Sequence, residues 1–179
     1  MRMLELNQYN TRTIDSMDTL PAIVIAKNDW LHNQVEVEYP TKESLKGREL
    51  YFSRYNTSQV LSIDEVAGEA SLPADSIYLV DFHRLTVMFS LLQAKLWPSQ
   101  DDQDLILEFL SQIIYSEPCE LYLAFADGAP IGAGLVTQTE QGCLISDISC
   151  ESSLSSGDFA VSLATKLGEQ GVQVTDVEI

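Results

Sequence analysis

The chain has 179 residues, of which 45% are hydrophobic, so it is long enough and apolar enough to bury one core. Its formal net charge of −17 excludes nucleic acid and anionic membrane surfaces as expected partners, because both bind basic proteins. No apolar run approaches the length of a membrane span, and no basic stretch followed by an apolar run opens the chain, so we expect a cytoplasmic protein.

The first 75 residues are predicted to be rich in β-structure. Residues 1–18 are polar and weakly periodic, which indicates a short strand and a flexible start. Thr41–Gly47 is typical of a turn or a single helical turn, and Ser62–Val66 resembles the capping sequence of a short helix that reaches Ala70. Apolar or alternating runs predict strands at Leu20–Ala26, Val35–Tyr39, Leu50–Tyr55 and Gln59–Ile63.

The segment Leu72–Asp75 is the best domain boundary, so we divide the chain into a β-rich region, 1–75, and a domain, 76–179. Strands are predicted in the second part at Ile77–Phe82, Cys119–Ala126, Ile131–Thr137, Cys143–Cys150 and Val172–Val177. Helices are predicted at Thr86–Leu96, from Ser99 to Ile114 and from Phe159 to Gly168. Asp127 and Gly128 predict a tight hairpin turn. The predicted class is α/β, a mixed central sheet with helices on both faces.

A small polar segment, 151–157, connects the strand that ends at Cys150 to the last predicted helix. The first N–H groups of a helix have no partner within it, and the helix dipole favours an anion there. The segment is therefore one place where the chain could hold a phosphate. Its serines have a second interpretation, in which they cap the helix and solvate the turn.

Three motifs in this part of the chain resemble the GNAT superfamily of acyl-CoA N-acetyltransferases. They are the hairpin "DG-P-IG-A-G" from Asp127, the strand "ISDIS" from Ile145, and a loop with Gly157 that opens a helix. The resemblance covers about Ile77 to Gly171. It implies a strand that splays from its neighbour and a loop whose amides bind the pyrophosphate of acetyl-CoA. The residues that the resemblance implies as the acetyl-CoA-binding site are Ile148, Ser149, Cys150, Ser155, Ser156, Gly157, Asp158 and Phe159.

Under this resemblance, Asp147 is the candidate catalytic residue, a general base on the strand that would flank acetyl-CoA. The N–H groups of Ile148 and Cys150 would face the acyl oxygen. The implied activity is acetyl transfer to an amine, carried by a cationic small molecule or a protein, which the acidic surface would favour. Asp147 has another interpretation, as a strand-edge or solvent-facing carboxylate.

A noncatalytic interaction or regulatory protein of the same fold is the alternative function. Where the family has Arg or Gln this chain has Leu154, and Asp158 and Phe159 bring a charge and a bulky side chain to the phosphate loop. The sequence stops at Ile179, before a further helix and strand pair of the family. We therefore expect the N-terminal region, or a second subunit in a homodimer, to cover the sheet edge. If neither covers it, we expect the site to be open and inactive. A third interpretation makes residues 1–75 the principal unit.

No metal site is predicted. The two histidines, His32 and His83, are isolated in sequence. Cys119, Cys143 and Cys150 lie in or beside predicted strands, which is typical of buried thiols that act as small hydrophobic groups.

Overall fold

The computed structural model describes residues 20–54 and 58–179, and these residues form one six-stranded sheet. The strands are β1 (Val60–Ser62), β2 (Ile77–Leu79), β3 (Cys119–Ala126), β4 (Ala129–Thr139), β5 (Gly142–Cys150) and β6 (Asp176–Glu178). Their order across the sheet is β1-β6-β5-β4-β3-β2. Neighbouring strands are antiparallel except β5 and β6, which are parallel.

Five α-helices accompany the sheet in the described ranges. They are α1 (Ala22–His32), α2 (Lys42–Phe52), α3 (His83–Ala94), α4 (Gln100–Leu110) and α5 (Ser156–Glu169). Short 3-10 turns occupy Asn33–Val35, Ile63–Glu65 and Ala74–Ser76. Within residues 20–54 and 58–179, no helix is both long and apolar enough to cross a bilayer.

The sheet has a buried core on each face, because successive side chains of a strand point to opposite sides. Leu121 and Leu123 of β3 pack with Phe89 of α3 and Phe109 of α4. The alternate residues of β3 pack on the other face, where the core includes Phe159 of α5. The predicted class, an α/β fold with a mixed sheet between helices, is confirmed.

The elements predicted for the second half of the chain are largely confirmed. The β3–β4 hairpin turns at Asp127 and Gly128, both of which have positive φ angles. The Ser99 side chain caps α4 by accepting the N–H of Asp102 at 3.1 Å. The strand predicted at Val172–Val177 is shifted toward the C-terminus, since β6 begins at Asp176.

Three strands predicted in the first 75 residues are wrong. Leu20–Ala26 belongs mainly to α1, whose buried stripe of Ile23, Val24, Lys27, Trp30 and Leu31 has helical spacing and continues beyond the apolar run. Val35–Tyr39 begins with the last residue of a 3-10 turn and pairs with no strand in the described part of the chain. The described residues of Leu50–Tyr55 complete α2 and the turn after it.

Described residues of the first segment are therefore mainly helical rather than β-rich. Thr41–Gly47 is not a single turn, because Thr41 caps a helix that continues to Phe52. Only the strand predicted at Gln59–Ile63 is confirmed, as β1. The capping box of Ser62 and Glu65 is present, but it starts a three-residue 3-10 turn and no helix reaches Ala70. The strand and flexible start predicted for residues 1–18 lie outside the described residues.

A crossover segment, residues 63–76, connects β1 at one edge of the sheet to β2 at the other. It passes over α5, where Val66 joins the core that contains Phe159. Its backbone also contacts the start of α5, since a Cβ built on Gly68 would lie 2.3 Å from the carbonyl carbon of Gly157. The first segment thus contributes both a strand and a cover for α5.

We expect Gly68→Ala to destabilise the protein by about 2 kcal/mol or more, because the added methyl meets rigid backbone rather than a movable side chain. Gly168→Ala is the control, since its Cβ would meet nothing within 4 Å and alanine favours a helix over glycine by about 1 kcal/mol. Urea denaturation of both variants measures the difference. Equal stabilities of the two variants would show that the crossover does not hold α5 closely.

Candidate functional site

A β-bulge on β5 places Asp147 at the centre of the candidate site. Ala133 pairs with Ser149 and Leu135 with Ser146, so two residues of β5 lie opposite one residue of β4. Asp147 has a φ angle of 51°, a left-handed conformation that is uncommon for residues other than glycine. The bulge directs this residue out of the regular ladder, and its surroundings must hold it there.

The parallel strands β5 and β6 separate beside this bulge. They pair only through Leu144 with Asp176 and Ile145 with Val177. Beyond these pairs, a cavity of about 190 Å³ is lined by residues of both strands and of α2, α3 and α5. Its lining includes Tyr51, Gln93, Trp97, Asp147, Ile148, Ser156, Glu178 and Ile179. We call this space the β5–β6 cavity.

Two carboxylates at the wall of the β5–β6 cavity share a buried ammonium group. Lys27 of α1 is 0% exposed, and its Nζ lies 3.2 Å from Asp147 Oδ2 and 2.5 Å from Glu178 Oε2. We call these three residues the Lys27 cluster. Burial of a charge is favourable only when partners replace the lost water, so the three side chains depend on one another.

Further hydrogen bonds fix the carboxylates of the Lys27 cluster. Tyr51 donates its hydroxyl to Asp147 Oδ1, and Ser146 donates to Asp147 Oδ2 at 2.7 Å. Gln93 donates to the Asp147 carbonyl oxygen, while Ser58 donates to Glu178 Oε1 at 2.9 Å. Asp147 is therefore held through both carboxylate oxygens and through its backbone.

An aromatic wall completes the β5–β6 cavity. The rings of Tyr51 and Trp97 stack with centroids 5.7 Å apart. The Arg54 guanidinium lies 4.5 Å from the centroid of the Trp97 ring, a cation–π geometry. Because Tyr51 also binds Asp147, the wall and the Lys27 cluster are joined.

The start of α5 is capped and covered within the chain. Ser155 Oγ accepts the N–H of Asp158 at 3.0 Å, and the Ser155 carbonyl accepts the N–H of Phe159 at 3.0 Å. The Asp158 carboxylate accepts the Glu69 N–H at 2.8 Å. A Cβ built on Gly157 would lie 2.0 Å from the Ala67 carbonyl oxygen. The side of the loop that contacts Ala67 and Glu69, which we call the covered side, therefore does not fit a diphosphate.

The residues predicted for acetyl-CoA occupy three different environments. Ile148 and Ser156 line the β5–β6 cavity together with Asp147. Ser149 is buried and donates to the Leu92 carbonyl at 2.7 Å, and Cys150 is half-buried. Phe159 is fully buried, and its ring lies against Gly132 and Gly134 of β4. Ser155, Gly157 and Asp158 form the capped and covered loop.

Lys27, Tyr51, Trp97 and Glu178 are site residues that sequence reasoning missed. Lys27 directly follows the predicted strand Leu20–Ala26, and Tyr51 lies within the predicted strand Leu50–Tyr55. Both residues belong to helices, so their faces could not be assigned from the predicted strands. One signal was present: Lys27 is the only charged residue in the nine-residue stretch Leu20–Asn28. A lysine at helical spacing between Val24 and Leu31 requires a buried acidic partner.

The three thiols are held in their protonated form. Burial raises the pKa of Cys119 to about 12, that of Cys143 to about 11 and that of Cys150 to about 12. All three cysteines are free of disulfides. In the described part of the chain, no group of three or more His, Cys, Asp or Glu side chains could hold a metal ion.

Comparison with known proteins identifies a similar solved structure but no family. No family model and no curated protein matches the chain. A solved structure described as a functionally unknown conserved protein from Staphylococcus epidermidis ATCC 12228 is similar, with 15% identity and a TM-score of 0.47. The match covers 79% of this chain and spans 57% of the length of that protein.

We expect Lys27→Met to destabilise the protein by about 3–5 kcal/mol, because it leaves two buried carboxylates without their cation. Lys95→Met is the control, since Lys95 pairs with Glu151 at the surface, where an ion pair contributes at most about 1 kcal/mol. Chemical denaturation measures both losses. A loss for Lys27→Met as small as that for Lys95→Met would contradict the dependence on the ammonium. Replacing both carboxylates by amides in Lys27→Met should recover part of the lost stability.

We expect stability to fall as the pH rises above 9. The folded thiols have raised pKa values, so the unfolded chain, whose thiols titrate near 9, releases its protons first. The stability that depends on these thiols is complete below pH 9 and declines as the pH approaches 11. The urea concentration at the midpoint of unfolding, determined between pH 8 and pH 11, measures the decline in stability. Cys143→Ala should make this decline with pH shallower. A pH-independent midpoint would contradict the burial of the thiols.

Proposed function

We propose that the chain is a noncatalytic GNAT-like protein that binds a small ligand in the β5–β6 cavity and serves in interaction or regulation. The order of elements supports the resemblance: a strand, two helices, three antiparallel strands, a helix and a strand parallel to β5 follow one another from β2 to β6. The observation that carries the noncatalytic function is the ion pairing of Asp147 with Lys27.

Asp147 is poorly suited to remove a proton from a substrate amine. A general base must have an oxygen within reach of the proton and a pKa near the working pH. Here Lys27, Tyr51 and Ser146 contact its carboxylate oxygens, so a substrate amine would have to displace one of these partners. These contacts support a structural role for Asp147 in the proposed protein.

The covered loop supports the same proposal. The crossover segment lies against Gly157, and Asp158 accepts the Glu69 N–H, where a phosphate-rich ligand would have to approach. The net charge of residues 76–179 is −12, from 15 acids against 3 bases, which also disfavours such a ligand. A small neutral or cationic ligand meets neither obstacle. The three free cysteines support a reducing compartment, and we include the cytoplasm in the proposal.

Acetyl transfer to an amine is the second candidate. It is favoured by the separation of β5 and β6 at the bulge, because this opening lies beside Asp147, Ile148 and Ser156. A cationic small molecule or a protein amine would be the acceptor. In this candidate the ligand would enter the β5–β6 cavity without using the covered side of the loop.

Isothermal titration of acetyl-CoA and of CoA at low salt separates the two candidates. We expect no saturable binding of either compound up to a concentration of about 1 mM. A dissociation constant at this limit corresponds to a binding free energy of about −4 kcal/mol. Saturable binding of acetyl-CoA, together with acetylation of a diamine that Asp147→Asn abolishes, would overturn the noncatalytic proposal in favour of the second candidate.

A thermal-shift screen of small amines and neutral polar compounds tests binding in the β5–β6 cavity. We expect Leu96→Trp to abolish the shift that a bound compound causes, because Leu96 lines the cavity and a larger side chain there would fill it. Leu91→Trp is the matched control, since Leu91 is also exposed near the end of α3 but does not line the cavity. A shift that persists in Leu96→Trp would place the ligand elsewhere.

A further inference from the structure

The strand β2 presents an open edge of the sheet. It pairs with β3 on one side, and the described residues place no strand on its other side. The Val80 N–H donates to the Leu121 carbonyl at 2.8 Å, so the N–H and carbonyl of the preceding residue, Leu79, point away from β3. A strand with outward-facing backbone groups can accept another strand.

Apolar side chains lie exposed along this edge. Tyr78, Leu79 and Phe82 are 51%, 42% and 52% exposed, and Tyr115 is exposed nearby. Leu79 and Tyr115 border a groove of about 690 Å³ between the end of β2 and the segment before β3. Val80 and Leu121 contribute to the buried part of its lining. An open edge beside an apolar groove is typical of surfaces that bind an extended peptide.

The charge of this groove selects the kind of occupant. Its lining includes Asp81, Glu117, Glu120 and Glu140, and it includes no lysine, arginine or histidine among the described residues. The bases that follow in α3, His83 and Arg84, do not line it. A second copy that paired β2 with β2 would bring two sets of these carboxylates together, which like-charge repulsion opposes.

We propose that β2 and this groove bind a basic segment of a partner protein, in which lysine or arginine alternates with apolar residues. The segment adds to β2 as a seventh strand through the outward backbone groups of Leu79. Successive side chains of β2 point to opposite faces of the sheet, so Tyr78 and Leu79 contact opposite faces of the added segment. The apolar face of the segment packs beside Tyr78, and the other face carries the cations past Leu79 to the acidic rim at Glu120. This surface is separate from the β5–β6 cavity and does not depend on a ligand there.

Fluorescence anisotropy with a labelled peptide of four Lys-Val repeats tests the proposal. We expect saturable binding that weakens with salt, and a loss of about tenfold or more in the triple variant Glu117→Gln, Glu120→Gln, Glu140→Gln. The matched triple Glu38→Gln, Glu49→Gln, Glu169→Gln removes the same charge from exposed positions elsewhere and should bind almost normally. Equal losses in both triples would show only an effect of net charge and would overturn the proposal.

Two further arms separate strand addition from electrostatic attraction. A peptide in which every backbone nitrogen is methylated keeps its cations but has no N–H to donate to β2 along either edge, so it should bind at least about tenfold more weakly. Leu79→Lys, a change at an exposed position, should also weaken binding of the unmodified peptide. Unchanged affinity of the N-methylated peptide, absence of any binding, or a dimer in sedimentation that Leu79→Lys dissociates would each overturn the proposal.

Discussion

One buried ammonium group connects distant parts of this protein. Lys27 Nζ on α1 binds Asp147 on β5 and Glu178 on β6, and the lysine and its Glu178 partner are 151 positions apart in the chain. Charges removed from water require well-placed partners. A shift of β5 or β6 would therefore leave a buried charge of the Lys27 cluster without its partner. The Lys27 cluster therefore fixes how α1 lies against the sheet and how far β5 and β6 can separate.

The bulge and the β5–β6 cavity depend on this constraint. Asp147 has a backbone conformation that most residues avoid, and Tyr51, Ser146 and Gln93 supply the bonds that compensate for it. Tyr51 and Ser146, together with Lys27, contact both oxygens of the carboxylate. In this site, the groups that would carry out chemistry are also the groups that shape the cavity.

Sequence reasoning succeeded where local signals decide the structure. The Asp127-Gly128 turn and the alternation of β3 required only neighbouring residues, and they were found with nearly correct limits. It failed at α1 and α2, because short apolar runs suit either a buried strand or a buried helix face. The family resemblance directed attention to Asp147, but its pairing with Lys27 could not be predicted, since a pair so distant in sequence requires the tertiary fold.

The position of β1 has a consequence for how the protein is made. Gln59 and Ile179 exchange backbone hydrogen bonds of 2.8 and 2.9 Å. Among the described strands β1 pairs with β6 alone, so this early segment cannot join the sheet before the last strand is present. During synthesis, Lys27 and β1 leave the ribosome long before their partners, and contacts of such long sequence separation form slowly. A nascent chain consequently exposes the lysine and the edge of β1 until β6 has emerged, so neither can reach its native environment before synthesis of the sheet is complete.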